Sequence, residues 1–122
     1  MAKRDLTGAV DFAHLDRYAA GDAALVEEVL GLFREQAELW LPLLDPAADG
    51  GAWRDAAHSL KGSALGIGAR ELADRCQVAE QEPGADLGRR TVMLDHVRTS
   101  LDAALADIAA YRHEQALRSL KG

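Results

Sequence analysis

The stretch Ala56-Ala57-His58-Ser59-Leu60-Lys61-Gly62-Ser63-Ala64 sets an imidazole, an ammonium and a glycine close together. These are the groups needed to take up and hold a phosphoryl group. An unperturbed imidazole, with a pKa of ~6.5, is mostly neutral at pH 7 and keeps one ring nitrogen unprotonated and able to attack phosphorus. On a helix turning about 100° per residue, Trp53, Ala57, Leu60 and Ala64 fall within roughly 20–40° of one direction, while His58 falls near 140°. By the same rotation Lys61 lies at about 80°, Arg54 at about 100° and Gly62 at about 180°, so all three surround His58 on the exposed flank. Lys61, one turn on, is placed to offset the charge of phosphoryl oxygens on the ring. Gly62 costs ~1 kcal/mol relative to alanine inside a helix, and a bare surface beside the imidazole gives a reason for it, since a partner can approach closely. Arg54 is a candidate binding cation; its plainer reading is a solvated charge.

Four long amphipathic segments must position this face. The first follows Gly21-Asp22, with Asp22 as N-cap, and carries Leu25, Val26, Val29, Leu30, Phe33, Ala37 and Trp40 inward up to Pro42. A short helix at about 11–19, with Phe12, Leu15 and Tyr18 three apart, precedes it as a lid on the bundle's end. The run Asp45 to Gly51 reads as a loop. The histidine helix runs from Ala52 to about Leu65, stopped at Gly66 or Gly68. The next spans Ala69 to about Gln81 with Leu72, Cys76 and Ala79 inward, before Pro83-Gly84. The last runs from about Arg90 to at least Tyr111 with Leu94, Val97, Leu101, Leu105, Ile108 and Tyr111 inward. The expected fold is all-α: an antiparallel up-and-down four-helix bundle over about 22–113, with the short extra N-terminal helix, forming one domain over 1–122.

Composition agrees. At 122 residues with 48% hydrophobic side chains, one core is affordable without disulfides or metal staples. The formal charge of −6, with Lys and Arg scattered, opposes binding to nucleic acid or anionic lipid. No stretch reaches the ~20 uninterrupted apolar residues of a membrane span. A lone Cys76 cannot form an intramolecular disulfide, and no apolar signal-peptide core follows Met1-Ala2-Lys3-Arg4-Asp5, so a cytoplasmic location is expected. His14, His96 and His113 form no i, i+4 pair and read as surface residues rather than metal ligands. Cys76, on an apolar stripe, reads as a small hydrophobe.

The sequence Ala57-His58-Ser59-Leu60-Lys61-Gly62-Ser63-Ala64, followed by Ile67-Gly68-Ala69, Leu72, Cys76 and Glu80, resembles the signature of histidine phosphotransfer (HPt) domains. The match is specific through about residues 57–80 and agrees in pattern over nearly the whole chain. It implies that His58 is the phosphoacceptor, through Nε2, relaying phosphoryl groups between receiver-domain aspartates of response regulators and of a hybrid histidine kinase. It also implies that Glu80, by its spacing from the histidine, holds the other ring nitrogen, with Gln77 and Gln81 as alternatives. Gly66 departs from the Asn that many members carry there, which bears on the local cap. Magnesium is expected only in the partner receiver, and no cofactor in this domain. Docking is expected on apolar surface near His58, with Leu65 at about 120° by the same rotation and Ile67 beside it. A monomer is expected. Two other readings compete. A self-phosphorylating kinase would need an ATP-binding domain and a phosphate-cradling loop, for which this chain has no room. An adaptor bundle that binds a receiver or kinase domain without carrying phosphate would keep its binding after His58→Ala.

Overall fold

A computed structural model describes residues 7–121; the start Met1 to Asp5 lies outside the described residues. Helices α1 (Phe12–Tyr18), α2 (Ala23–Trp40), α3 (Gly50–Gly66), α4 (Arg70–Glu80) and α5 (Leu87–Lys121) follow one another, with a 3₁₀ turn at Leu41–Leu43 and no strand among the described residues. The long helices form the expected up-and-down bundle. α3 packs chiefly against α4 and next against α2, α4 packs on α5, and α2 touches α5 only lightly.

Local chemistry sets the boundaries. Asp22 caps α2 through the N–H groups of Ala24 and Leu25, satisfying donors that the first turn leaves unpaired. Asp49 caps α3 by accepting from Ala52 N at 2.8 Å, so the helix begins at Gly50, two residues before the expected start. The glycine there is required by packing: a Cβ on Gly50 would stand 2.8 Å from the Pro83 carbonyl oxygen. Asp86 accepts from Arg89 N at 2.8 Å near the start of α5, which runs 35 residues, well past Tyr111.

The core is one continuous cluster. Val26, Leu30, Phe33 and Ala37 of α2 meet Trp53, Ala56, Ala57, Leu60 and Ala64 of α3. Leu72, Ala73, Cys76 and Ala79 of α4, and Met93, Val97, Leu101, Ala104, Ile108 and Tyr111 of α5, complete it. Ala56 and Ala73 widen the apolar stripes beyond those read from spacing. Leu25, Val29, Trp40, Leu94 and Leu105 are partly buried at its margin.

Buried polar side chains tie down both ends. At one, the Arg90 guanidinium donates to the carbonyls of Pro46, Ala48 and Pro83, at 3.0, 2.5 and 2.6 Å, and lies 5.2 Å from the Trp53 ring. One cation thus joins the two interhelical loops. At the other, the Asp107 carboxylate, 1% exposed, accepts from Thr7 N, Thr7 Oγ1 and Ala9 N. This fastens the N-terminal segment, and Phe12 stacks on Tyr111 at 4.4 Å. α1 therefore closes the end as a lid, through Phe12 and Leu15. Tyr18, expected to share that face, is 69% exposed because it occupies the helix's last turn, beyond the core. Gly68 makes the tight junction possible: its φ is +69°, and a Cβ would approach Asp11 Cβ to 2.7 Å.

Candidate functional site

The α3 and α4 helices run side by side, and their register brings His58, Lys61 and Glu80 to one point. The indole N–H of Trp53 donates to the Ala79 carbonyl at 2.8 Å, locking α3 to α4 one residue before Glu80. One and a half turns further along α3, His58 Nδ1 lies 3.1 Å from Glu80 Oε2. Lys61 Nζ lies 2.8 Å from the other carboxylate oxygen, Oε1, and donates to Gln77 Oε1 at 3.4 Å. The imidazole is 67% exposed, whereas the side chains of Lys61 and Glu80 are 21% and 22% exposed.

The electrostatics follow from this placement. The Lys61 ammonium first, and the His58 ring second, hold the Glu80 carboxyl below its usual range, against a burial cost that acts the other way. The stabilisation Glu80 gains from these partners is present above the ordinary carboxylate range and is lost as pH falls through the lowered value. An ionised carboxylate only accepts, so the ring nitrogen facing it, Nδ1, carries a proton, and in a neutral ring the lone pair is then on Nε2. Burial pushes the Cys76 thiol up to about 12, with Glu80 adding to the shift and Lys61 opposing it; the thiol stays neutral and serves as packing.

Gly62 is exposed, and a Cβ built there would meet nothing within 4 Å, so close packing does not explain it. Leu65 is 56% exposed on the same side of α3. Ile67, expected beside it on the docking surface, is instead a core residue at 1% exposure. The helix ends at Gly66, and the reversal of the chain at Gly68 turns Ile67 inward toward Phe33 of α2. Arg54 is exposed, with its guanidinium 3.9 Å from Asp55. Of the three candidates for the ring contact, Glu80 makes it. Gln77 holds Lys61 instead, and Gln81 is exposed at the end of α4. His96 and His113 are exposed and His14 is half-buried; among the described residues no group of three metal-ligating side chains converges.

One part of this surface escaped the sequence. On the opposite flank of α3, Val29, Leu32 and Gln36 of α2 join Ser63 and Gly66 around a shallow hollow of about 150 Å³. Leu32, 55% exposed, lies off the apolar stripe of α2, and that misplaced leucine was the available signal.

Residues 23–111 match the family model described as Hpt domain. The crystal structure of the histidine phosphotransferase ShpA from Caulobacter crescentus is similar, with a TM-score of 0.76 and 57% sequence identity, over 93% of this chain and 99% of that one. No curated protein matches the chain. A family match spanning most of the chain, joined to that structural likeness, identifies it as a member of the histidine phosphotransfer (Hpt) domain family, whose members are phosphotransfer intermediates of phosphorelays rather than kinases.

Proposed function

We propose that His58 accepts a phosphoryl group on Nε2 from a receiver-domain aspartate and passes it to the aspartate of another receiver. The observation that carries this reading is the exposed imidazole whose Nδ1 is held 3.1 Å from Glu80 Oε2. That contact orients the ring and leaves Nε2 as the nucleophile. Phosphoryl transfer asks mainly for in-line positioning and charge stabilisation, and a helix face can supply both. Lys61 supplies positive charge and Gly62 room for the incoming aspartyl phosphate. The donors and acceptors are receiver domains of response regulators and of a hybrid histidine kinase, which bring the magnesium; this domain acts without a cofactor, as a monomer.

The test is to treat the purified chain with phosphoramidate or a phosphorylated receiver domain and map acid-labile, base-stable phosphate by mass spectrometry. Label on His58 supports the relay. A folded chain that binds a receiver but takes no label from any donor supports the adaptor reading instead.

Two substitutions probe the surface separately from the nucleophile. Leu65→Asp places a charge where apolar contact is expected, at a side chain that lies outside the buried core. It should leave the unfolding midpoint unchanged and weaken receiver binding by about tenfold, the ~1.4 kcal/mol scale of a contributing interface residue. Titration calorimetry against a receiver checks it, and unchanged affinity would remove Leu65 from the interface. Gly62→Gln replaces a poor helix former with a good one in open space. Stability should rise by ~0.5–1 kcal/mol while transfer slows by roughly tenfold or more, because the added side chain obstructs the approach of the aspartyl phosphate. Denaturant melts and transfer rates measured on the same preparation read the two opposite effects.

A further inference from the structure

The carboxylate of Glu80 is shared between two side chains of α3. In the resting site its two oxygens are divided: Oε2 faces His58 Nδ1 at 3.1 Å, and Oε1, which is closed off from solvent, faces Lys61 Nζ at 2.8 Å. Lys61 is thus engaged by the same carboxylate that holds Nδ1, whereas a phosphoryl group would be carried on the other ring nitrogen, Nε2. The third group at this seat is Gln77, whose Oε1 accepts from the same ammonium at 3.4 Å. An ammonium that turns toward phosphoryl oxygens gives up part of this seat between Oε1 and Gln77.

The chemistry of the transfer supplies the reason for it to leave. In this step the Nε2 lone pair forms the N–P bond, the P–O bond to the aspartyl carboxyl breaks, and the electron pair of that bond leaves on the carboxylate. The proton on Nδ1 stays where it is. A neutral ring thereby becomes a cation bearing a dianionic phosphoryl group, and charge is conserved between donor and acceptor. The carboxylate that shared its charge with Lys61 now faces a full positive charge at Oε2, while a dianion has formed one helical turn from Lys61.

Resting on the reading of His58 given above, we propose that phosphorylation exchanges the counter-ion of Glu80. The imidazolium takes over the carboxylate, and Lys61 is released from its seat between Glu80 and Gln77 to the phosphoryl oxygens. Glu80 and Gln77 are then positioning residues, acting through His58 and Lys61. The charged and titratable groups around the carboxylate are His58 and Lys61 of α3 and, on its own helix, the Cys76 thiol, which burial keeps neutral. No other acid or base competes for the exchange among those groups.

The experiment compares wild type, Glu80→Gln and Lys61→Met as full chains at pH 8, before and after labelling with phosphoramidate, by ³¹P NMR of the phosphoryl group and ¹⁵N NMR of the Lys61 ammonium and the imidazole. Before labelling, Glu80→Gln should move the Lys61 signal. After labelling it should leave that signal in place, whereas Lys61→Met should move the ³¹P resonance. In a pH series, the labelled ring of Glu80→Gln should lose its Nδ1 proton about one unit lower than wild type, the scale of a lost opposite charge. A Lys61 signal that still follows Glu80→Gln after labelling, with a ³¹P resonance indifferent to Lys61→Met, would overturn the exchange and leave the lysine a fixed partner of Glu80. Absence of label in the wild type would overturn the proposed function itself and this inference with it, so the two failures are distinct.

Discussion

A His58→Ala chain is expected to take no label from phosphoramidate or from a phosphorylated receiver domain, while unfolding at close to the wild-type midpoint. The loss is complete because no second side chain on this face offers an unprotonated nitrogen. Lys61 is an ammonium held by Glu80, and Arg54 is a guanidinium beside Asp55. The fold survives because the imidazole is 67% exposed and its partner, Glu80, keeps Lys61 when the ring is gone. A contact of this kind with an exposed ring contributes on the order of 1 kcal/mol, and the better helix propensity of alanine offsets part of that. Circular dichroism melts and mass-spectrometric mapping on one preparation check both halves. Label persisting in the variant would move the acceptor off His58.

The face that carries His58 was legible because it depends on one helix. Once α3 is a helix, the angular positions of His58, Lys61, Gly62 and Leu65 follow from their sequence numbers, and the structure leaves His58, Gly62 and Leu65 exposed. Glu80 is a different case. Its contact depends on the register of α4 against α3, which the spacing of either helix leaves open; the family likeness supplied the residue, and the Trp53–Ala79 hydrogen bond supplies the register. Ile67, placed beside Leu65 by adjacency in the sequence, falls at about −40° by the 100° rotation, on the core stripe, where the structure buries it. Arg90 and Asp107 passed unnoticed for another reason. Buried charges carry no apolar period, and the groups that satisfy them are backbone carbonyls and N–H groups from distant segments.

Trp53 is where stability and function are coupled, and Trp53→Ala is expected to cost ~3–5 kcal/mol in chemical denaturation, the range for removing a large aromatic from a core. The side chain is 0% exposed and carries three duties at once. It fills the core where the start of α3 meets the end of α4, it donates to Ala79 O at 2.8 Å, and its ring lies 5.2 Å from the Arg90 guanidinium that joins the two loops. Against a typical total of ~5–15 kcal/mol, such a loss leaves a marginal fold, so the alanine variant measures stability alone. Trp53→Phe separates the duties. It keeps most of the apolar volume and the aromatic face toward Arg90 but removes the N–H, with a cost nearer ~1–3 kcal/mol. The missing hydrogen bond is the one that sets α4 against α3 one residue from Glu80. The phenylalanine variant should therefore remain folded and still take label on His58, while the His58–Glu80 contact loosens and the imidazole ¹⁵N signals shift toward those of Glu80→Gln. Imidazole signals identical to wild type in a stably folded Trp53→Phe chain would mean that packing alone fixes the register, and that the indole N–H contributes stability without positioning Glu80.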